Sequence, residues 1–231
     1  MKRKQPLFCL GKVWQIMNKQ TKNVVSLIFN AVLSGIMISV GGAVYLMCEN
    51  KIAGSFLFSF GLFTIVQRGF ALYTGKVGYI PERSWGYILE TLMTLVGNIL
   101  GTAFGAFMLQ QTRSAAILRE KALISMDIKT SDNVVSRLIL GAFCGMLMYL
   151  AVDNAKECRK KNTDMSFVFG VCLPVMIFII CGFNHSIADA FYMFTAGTFP
   201  ENIPYLLTVA AGNAVGGMMI PVIKKLFLSD T

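Results

Sequence analysis

Long apolar segments, separated by short polar or basic connections, divide the chain into six predicted membrane spans. A run of about 20 mostly apolar residues is long enough to cross a bilayer as a helix. The predicted spans cover residues 23–48, 52–75, 87–112, 134–154, 165–194 and 202–223. The charged connection 113–137 is long for a loop and is therefore predicted to be partly helical. The pattern predicts an all-α, polytopic membrane protein.

Two of the spans are interrupted by glycine and polar residues. The second is broken near residues 67–69, and the fifth contains Gly182 followed by the polar residues 184–186. Broken membrane helices are tolerated only where their freed backbone groups line a cavity or are buried in protein. We therefore expect helices 2 and 5 to be broken.

Spans three and six share a short motif, GNILG at residues 97–101 and GNAVG at residues 212–216. Because three is an odd number, three spans leave the chain on the opposite side of the membrane. A second unit of three spans therefore has the opposite orientation. The motif therefore predicts an inverted repeat of three plus three helices. Such folds place a site near the membrane midplane, where the broken helices meet.

Composition agrees with a membrane protein, since 55% of the residues are hydrophobic and 14% are charged, against about 25% charged in soluble domains. The net charge of +9 lies in the tail and loops and does not suggest a nucleic-acid partner. Basic residues flank cytoplasmic ends of spans. This predicts a cytoplasmic segment 1–22, one membrane domain 23–225 and a cytoplasmic tail 226–231, without a cleavable signal.

The six cysteines form no C-x-x-C pair and are interpreted as small core residues, so no metal site is expected. His185, the single histidine, lies near the end of the broken fifth span. An ionisable residue at membrane depth is costly and is by default a functional hypothesis. We expect a pore or binding site at His185. The alternative is a packing histidine hydrogen-bonded to Asn184 or to a loop carbonyl.

Four motifs, in order, resemble the formate/nitrite transporter family. GFNHSIA at residues 182–188 is close to the family's G-F-E-H-S-[IV]-A in broken helix five. FSFGL at residues 58–62, followed by LYTG at 72–75, is similar to F-S-x-G-L and E-L-F-T-[GS] at the break of helix two. LAV at residues 150–152 resembles C-L-A-V, and GNAVGG at 212–217 resembles G-N-I-x-G-G. Together the motifs span nearly the whole chain.

The resemblance implies a homopentamer of aquaporin-like six-helix protomers, each with its own pore for small monovalent anions or their acids. In that comparison His185 matches the pore histidine. Lys129 matches a lysine that precedes the fourth span and lies near that histidine. Thr74 matches a loop threonine that hydrogen-bonds toward the histidine and can gate the pore. Lys121 is a rival for Lys129, which could instead be an ordinary solvated loop lysine.

The resemblance also implies supporting roles. Leu62 and Phe178 match apolar residues that narrow the pore on one side of the histidine, and Phe58 is a lesser candidate for the same constriction. Without the resemblance, these three would be taken as core or lipid-facing residues. Asn213 matches the asparagine of helix six and is expected to hold a loop, with Asn184 as a supporting residue beside His185.

Four positions depart from the family pattern. Ala71 and Asn184 stand where the family usually carries acidic residues, and Gly145 replaces an asparagine. Arg68 introduces a positive charge whose role, at a subunit interface or in a cytoplasmic vestibule, stays open. These departures indicate a divergent branch.

The expected function is a channel for formate, nitrite or hydrosulfide in the bacterial cytoplasmic membrane. Lys129 would attract the anion. The site at His185 and Thr74 would favour its protonation, since imidazole has an unperturbed pKa of about 6.5. The neutral acid would then pass the apolar constriction. The bilayer is the other expected partner.

Three other functions are compatible with parts of the sequence. An aquaporin-like channel for neutral solutes is the main alternative, although the N-P-A signatures are missing. A membrane enzyme is disfavoured, because the sequence has one histidine and no cluster at metal spacing; no cofactor is expected. An assembly protein would leave the intramembrane histidine unexplained.

Overall fold

The computed structural model describes residues 7–161 and 163–227, in which helices account for nearly all of the regular structure. The helices are α1 (Leu7–Met47), α2 (Lys51–Arg68), α3 (Tyr73–Lys76), a 3₁₀ helix (Val77–Glu82), α4 (Trp85–Gln110), α5 (Ala115–Ser131), α6 (Val134–Lys161), α7 (Asp164–Ile180), α8 (Ser186–Ala196) and α9 (Ile203–Phe227). Within the described residues there is no β-strand.

Six apolar segments build the bundle, and two of them are broken. Four helices are long and apolar enough to cross a membrane, namely α1 over Thr21–Met47, α4, α6 and α9. Helix α2 and the segment Tyr73–Glu82 pass the same test together, with a bend of 57° at the break between them. The shorter apolar helix α7 is separated from α8 by residues 181–185. This confirms the expected breaks in helices 2 and 5.

Helix ends differ from the predicted bounds where the chain is charged. Helix α1 begins at Leu7, inside the predicted basic segment 1–22, and α6 continues to Lys161 instead of ending near residue 154. Lysine, arginine and glutamine are good helix formers, so a helix continues past the apolar part of its sequence. The connection between the second and third predicted spans contains the 3₁₀ helix, and the connection 113–137 contains α5. Residues 1–6 and 228–231 lie outside the described residues.

A glycine ends the first half of each broken helix. Gly69 follows α2 with φ +71°, and Gly182 follows α7 with φ +69°. This left-handed backbone conformation is strained for residues that carry a Cβ atom, and glycine adopts it readily. Both breaks therefore depend on glycine at one position.

The first break is held by a buried asparagine on α4. Asn98 Nδ2 donates to the carbonyl of Ala31 on α1 (2.8 Å) and to that of Ala71 in the break (2.9 Å). Its Oδ1 accepts the backbone N–H of Tyr73 (2.8 Å). The side chain thus satisfies one carbonyl and one N–H that the break would otherwise leave unpaired.

The second break is held in the same way by Asn213 on α9. Its Nδ2 donates to the carbonyl of Gly141 on α6 and to that of Asn184 in the break, both at 2.8 Å. Its Oδ1 accepts the N–H of Ser186 at 2.9 Å. These contacts repeat those of Asn98 atom for atom, which confirms the inverted repeat.

Small residues allow the helices that carry these asparagines to approach their neighbours. A Cβ atom on Gly35 of α1 would collide with the carbonyl oxygen of Asn98, and one on Gly145 of α6 would collide with that of Asn213. Gly145, which departs from the family pattern, is therefore required by the α6–α9 contact. Close approach at small residues is typical of membrane helix pairs.

Candidate functional site

Two cavities enter the bundle from opposite ends. The first, which we call the Lys129 cavity, has a volume of about 250 Å³ and includes Lys51, at the start of α2. The second, the Arg159 cavity, has a volume of about 230 Å³ and includes Gly69, directly after the end of α2. Because α2 runs from one mouth to the other, the cavities approach each other from its two ends.

Three buried apolar side chains lie between the cavities. Phe58 and Phe178 line the Lys129 cavity and pack edge to face, with ring centroids 5.9 Å apart. Leu62, one turn along α2 from Phe58, lines the Arg159 cavity. Leu62 and Phe178 line different cavities, and their position on one side of the histidine stays a prediction. We call these three residues the apolar barrier.

His185 is buried beside this barrier and lines the Lys129 cavity. It caps the N-terminus of α8, where its Nδ1 accepts the N–H of Ala188 at 3.1 Å. Its Nε2 lies 3.1 Å from Oγ1 of Thr74, and its ring stacks on Phe178 with centroids 5.4 Å apart. Because Nδ1 accepts a hydrogen bond, the neutral ring carries its proton on Nε2, which donates to Thr74.

Thr74 joins the two broken helices. It is fully buried in α3, directly after the first break, whereas His185 belongs to the second. With its oxygen accepting from Nε2, the threonine hydroxyl keeps its own proton for another acceptor. The histidine–threonine contact predicted from the sequence is therefore present, and neither ring nitrogen bonds to Asn184 or to a loop carbonyl.

Lys129 reaches the same site from the last turn of α5. Its Nζ donates to Oδ1 of Asn184 at 2.9 Å and lies 3.0 Å from Oδ1 of Asp189. Helix α5 packs on α8, and the side chains of Leu118 and Met126 on α5 are buried. Lys121, the rival, does not line the cavity.

Asp189 and Tyr205 are site residues that the sequence analysis missed. Asp189 lies four residues after His185 on α8, its side chain is 1% exposed, and its Oδ2 accepts the hydroxyl of Tyr205 at 2.9 Å. An acid in an apolar segment meets the same criterion that singled out His185. Asp189 therefore supplies a carboxylate near the site, although position 184 carries an amide.

The Arg159 cavity carries a second group of basic residues, Lys76, Lys156 and Arg159. Arg68 is exposed at the end of α2 and is not among the residues that line this cavity. Among the described residues, no three His, Cys, Asp or Glu side chains are grouped as metal ligands. The site thus offers hydrogen-bond donors and positive charge on both sides of an apolar barrier.

The model of the formate/nitrite transporter family matches residues 12–226. The chain belongs to the formate/nitrite transporter family. Formate channel FocA of Escherichia coli K12 is 24% identical over 246 aligned residues, covering 87% of this chain and 86% of FocA. A probable formate transporter of Methanothermobacter thermautotrophicus is 26% identical and covers 72% of this chain and 71% of its own.

Solved structures of this family share the fold. A pentameric formate channel with formate bound superposes with a TM-score of 0.74 at 21% identity, covering 91% of this chain and 99% of the other. An FNT family ion channel gives a TM-score of 0.75 at 18% identity, covering 96% and 97%. These likenesses show the fold. Family membership and the apolar helices together make the chain a multi-pass membrane transport protein.

Proposed function

We propose that this protein is a channel for small monovalent anions of weak acids, with formate as the first candidate and nitrite and hydrosulfide as the others. The pathway runs from the Lys129 cavity across the apolar barrier to the Arg159 cavity. Formate comes first because the relatives with the named activity are formate channels or transporters.

The observation that carries this function is the position of His185 and Thr74 at the apolar barrier, beside the ammonium of Lys129. An anion loses its water on entering an apolar constriction, which makes its passage as a charged species costly. The conjugate acid has no such charge to desolvate. The barrier therefore selects solutes that can be neutralised by one proton, and ions without a neutral form are excluded.

The polar groups act on the solute in sequence. Lys129, at the cavity, raises the local concentration of the anion. The Thr74 hydroxyl and the positive N-terminal end of α8 stabilise the solute next to the barrier. The proton that crosses with the anion is released beyond the barrier, so each event moves one acid molecule. His185 holds Thr74 in place and, when a proton from water in the Lys129 cavity converts it to imidazolium, passes that proton to the solute and returns to the neutral ring.

Charge distribution gives the orientation. The Arg159 cavity, the basic end of α6 and Lys224-Lys225 on α9 lie toward one end of the bundle, which we assign to the cytoplasm. Both chain termini then lie in the cytoplasm, and the membrane is the bacterial cytoplasmic membrane. By comparison with the pentameric formate channel, we infer a homopentamer with one pore in each protomer.

A second candidate function is an aquaporin-like channel for neutral solutes. It is favoured by one observation, the ion pair between Lys129 and Asp189, which compensates the positive charge of the Lys129 cavity. Compensation reduces the attraction for anions, whereas the passage of glycerol or water would be unaffected.

The test is uptake into proteoliposomes of formate, nitrite, hydrosulfide and glycerol, at pH values on both sides of about 6.5. The wild type is compared with His185→Asn, whose side chain can still accept the Ala188 N–H from the position of Nδ1 but cannot carry a charge. Anion uptake faster than glycerol uptake, with a pH dependence that the variant loses, is the expected result. Glycerol uptake without anion uptake would favour the second candidate, and an unchanged pH dependence in the variant would contradict proton exchange at His185.

A further inference from the structure

The Arg159 cavity is lined by three basic side chains, Lys76, Lys156 and Arg159, and by no aspartate or glutamate. Its volume of about 230 Å³ is ample for a small hydrated anion. The other lining residues are mainly apolar or aromatic, so they do not neutralise this charge. The cavity differs in this respect from the Lys129 cavity, where a carboxylate is part of the lining.

Two of the three cations are held without a carboxylate. Lys156 Nζ lies 3.3 Å from the centroid of the Tyr79 ring. The guanidinium of Arg159 donates to the carbonyl of Val66 at 2.7 Å and lies 5.6 Å from the ring of Phe167. Throughout the described part of the chain, neither side chain forms an ion pair. Aromatic faces and carbonyls position a cation without pairing it with a carboxylate. Lys156 and Arg159 are both exposed, and Asp153 and Glu82 lie near enough to Lys156 to interact with its charge, so the positive charge of the cavity is partly screened.

The third cation is only weakly compensated. Lys76 Nζ lies 3.3 Å from Oε2 of Glu90, whose side chain is 55% exposed. Exposed ion pairs of this kind are screened by water and contribute little. The same Nζ lies 4.8 Å from the ring centroid of Tyr87, which keeps the ammonium at the cavity wall. The cavity therefore carries a substantial positive potential.

The deep end of this cavity is apolar. Leu62, Ile65 and Leu72 line it and are buried. A monovalent weak acid can leave the cavity through this floor as a neutral molecule. An anion that keeps two negative charges near neutral pH cannot, because burial of its charge is too costly.

We propose that the Arg159 cavity is a binding site for small divalent oxyanions, of the class of sulfate and hydrogen phosphate. Such an anion interacts with all three cations more strongly than a monovalent one does, because the Coulomb energy grows with its charge. It occupies the cavity without crossing the barrier. Binding does not depend on the proposed transport function, and its consequence for transport is a block from this end of the pore.

The experiment measures binding of radiolabelled sulfate to the purified, detergent-solubilised protein by scintillation proximity, at constant ionic strength set with chloride. The test variant is Lys156→Gln with Arg159→Gln. The matched control is Lys160→Gln with Lys161→Gln on the same helix, because Lys160 is 72% exposed and neither lysine lines the cavity. Gel filtration establishes that each variant is folded.

We expect saturable sulfate binding that unlabelled phosphate displaces, weakened about tenfold or more in the test variant, as for the loss of charged hydrogen bonds. The control should bind within about twofold of the wild type. No saturable binding to the wild type, or equal binding to the test variant, would overturn the proposal. If the double variant does not fold, the single variants Lys156→Gln and Arg159→Gln replace it, and each should bind several-fold more weakly.

A second arm measures formate uptake by vesicles loaded with sulfate or with chloride. Sulfate inside should slow uptake through the wild type and leave the Lys156→Gln, Arg159→Gln variant unaffected. Equal uptake through the wild type with either salt would overturn the block. If the wild type conducts no formate, the proposed function fails, and the sulfate-binding result still decides whether the site exists.

Discussion

The ammonium of Lys129 lies 3.0 Å from Oδ1 of Asp189, which is buried on α8. Position 184, where relatives are expected to carry a glutamate beside the histidine, is an asparagine that accepts a second hydrogen bond from the same ammonium. In this chain the carboxylate that compensates the lysine therefore stands on the half-helix after the break rather than in the break. The residue next to His185 is left uncharged.

Exchanging the two acceptors tests this relationship. Asp189→Asn should lower the melting temperature, because removing one partner of a buried ion pair costs about 3–5 kcal/mol at most and leaves an uncompensated charge. Adding Asn184→Glu to that variant should recover at least half of the loss, since a carboxylate again faces Lys129. Asp127→Asn, at an exposed position of α5, is the control and should behave as wild type. A double variant no more stable than the single one would contradict the exchange.

The charge of Lys129 should matter for anions and not for neutral solutes. Lys129→Gln combined with Asp189→Asn removes both charges and avoids an orphaned carboxylate. We expect formate uptake to fall about tenfold, because the anion loses a charged hydrogen-bond donor at the cavity even though the net charge is unchanged, while glycerol permeability stays unchanged. Lys121→Gln, on the same helix but away from the cavity, should conduct as wild type. A parallel fall for formate and glycerol would indicate a structural defect instead.

The role of the Thr74 hydroxyl can be tested with substitutions that remove it or keep it. Thr74→Val keeps the shape of the side chain but removes the acceptor for His185 Nε2–H, so a buried donor is left unpaired at a cost of about 1–3 kcal/mol. We expect uptake of formate to fall and its pH dependence to shift, whereas Thr74→Ser should retain both. The measurement is the pH profile of formate uptake in proteoliposomes. An unchanged profile for the valine variant would exclude Thr74 from the transport step.

Asn98 and Asn213 should be equally important for the fold, because each side chain makes the same three hydrogen bonds, two to the chain at a break and one to a neighbouring helix. Replacing either with alanine leaves buried backbone groups unpaired, at about 1–3 kcal/mol for each group. The melting temperature should therefore fall by similar amounts in the two variants, and little in Asn154→Ala, at an exposed position. A loss at one asparagine only would mean that the two breaks are not held equivalently.

The number of apolar segments, the two breaks and the repeat could all be predicted from the sequence. Apolar length and charge are local properties that the bilayer selects directly, and a glycine such as Gly182 marks a backbone conformation wherever the rest of the chain goes. The asparagine motifs pointed to the inverted repeat for the same reason, because each half carries its own copy. The histidine was found because an ionisable residue in an apolar run is visible without a structure.

Which polar groups come into contact could not be predicted from the sequence, because it depends on how the helices pack. Lys129 and Asp189 lie on different helices, and their ion pair depends on the rotation of α5 against α8, which the apolar pattern of a short amphipathic helix does not fix. The contact of Phe58 on α2 with Phe178 on α7 likewise depends on how these two helices pack against each other. Hydrophobicity determines whether each segment enters the membrane, one segment at a time. A site is made by side chains from several segments, and the distances between those side chains are set by the packing of the whole bundle.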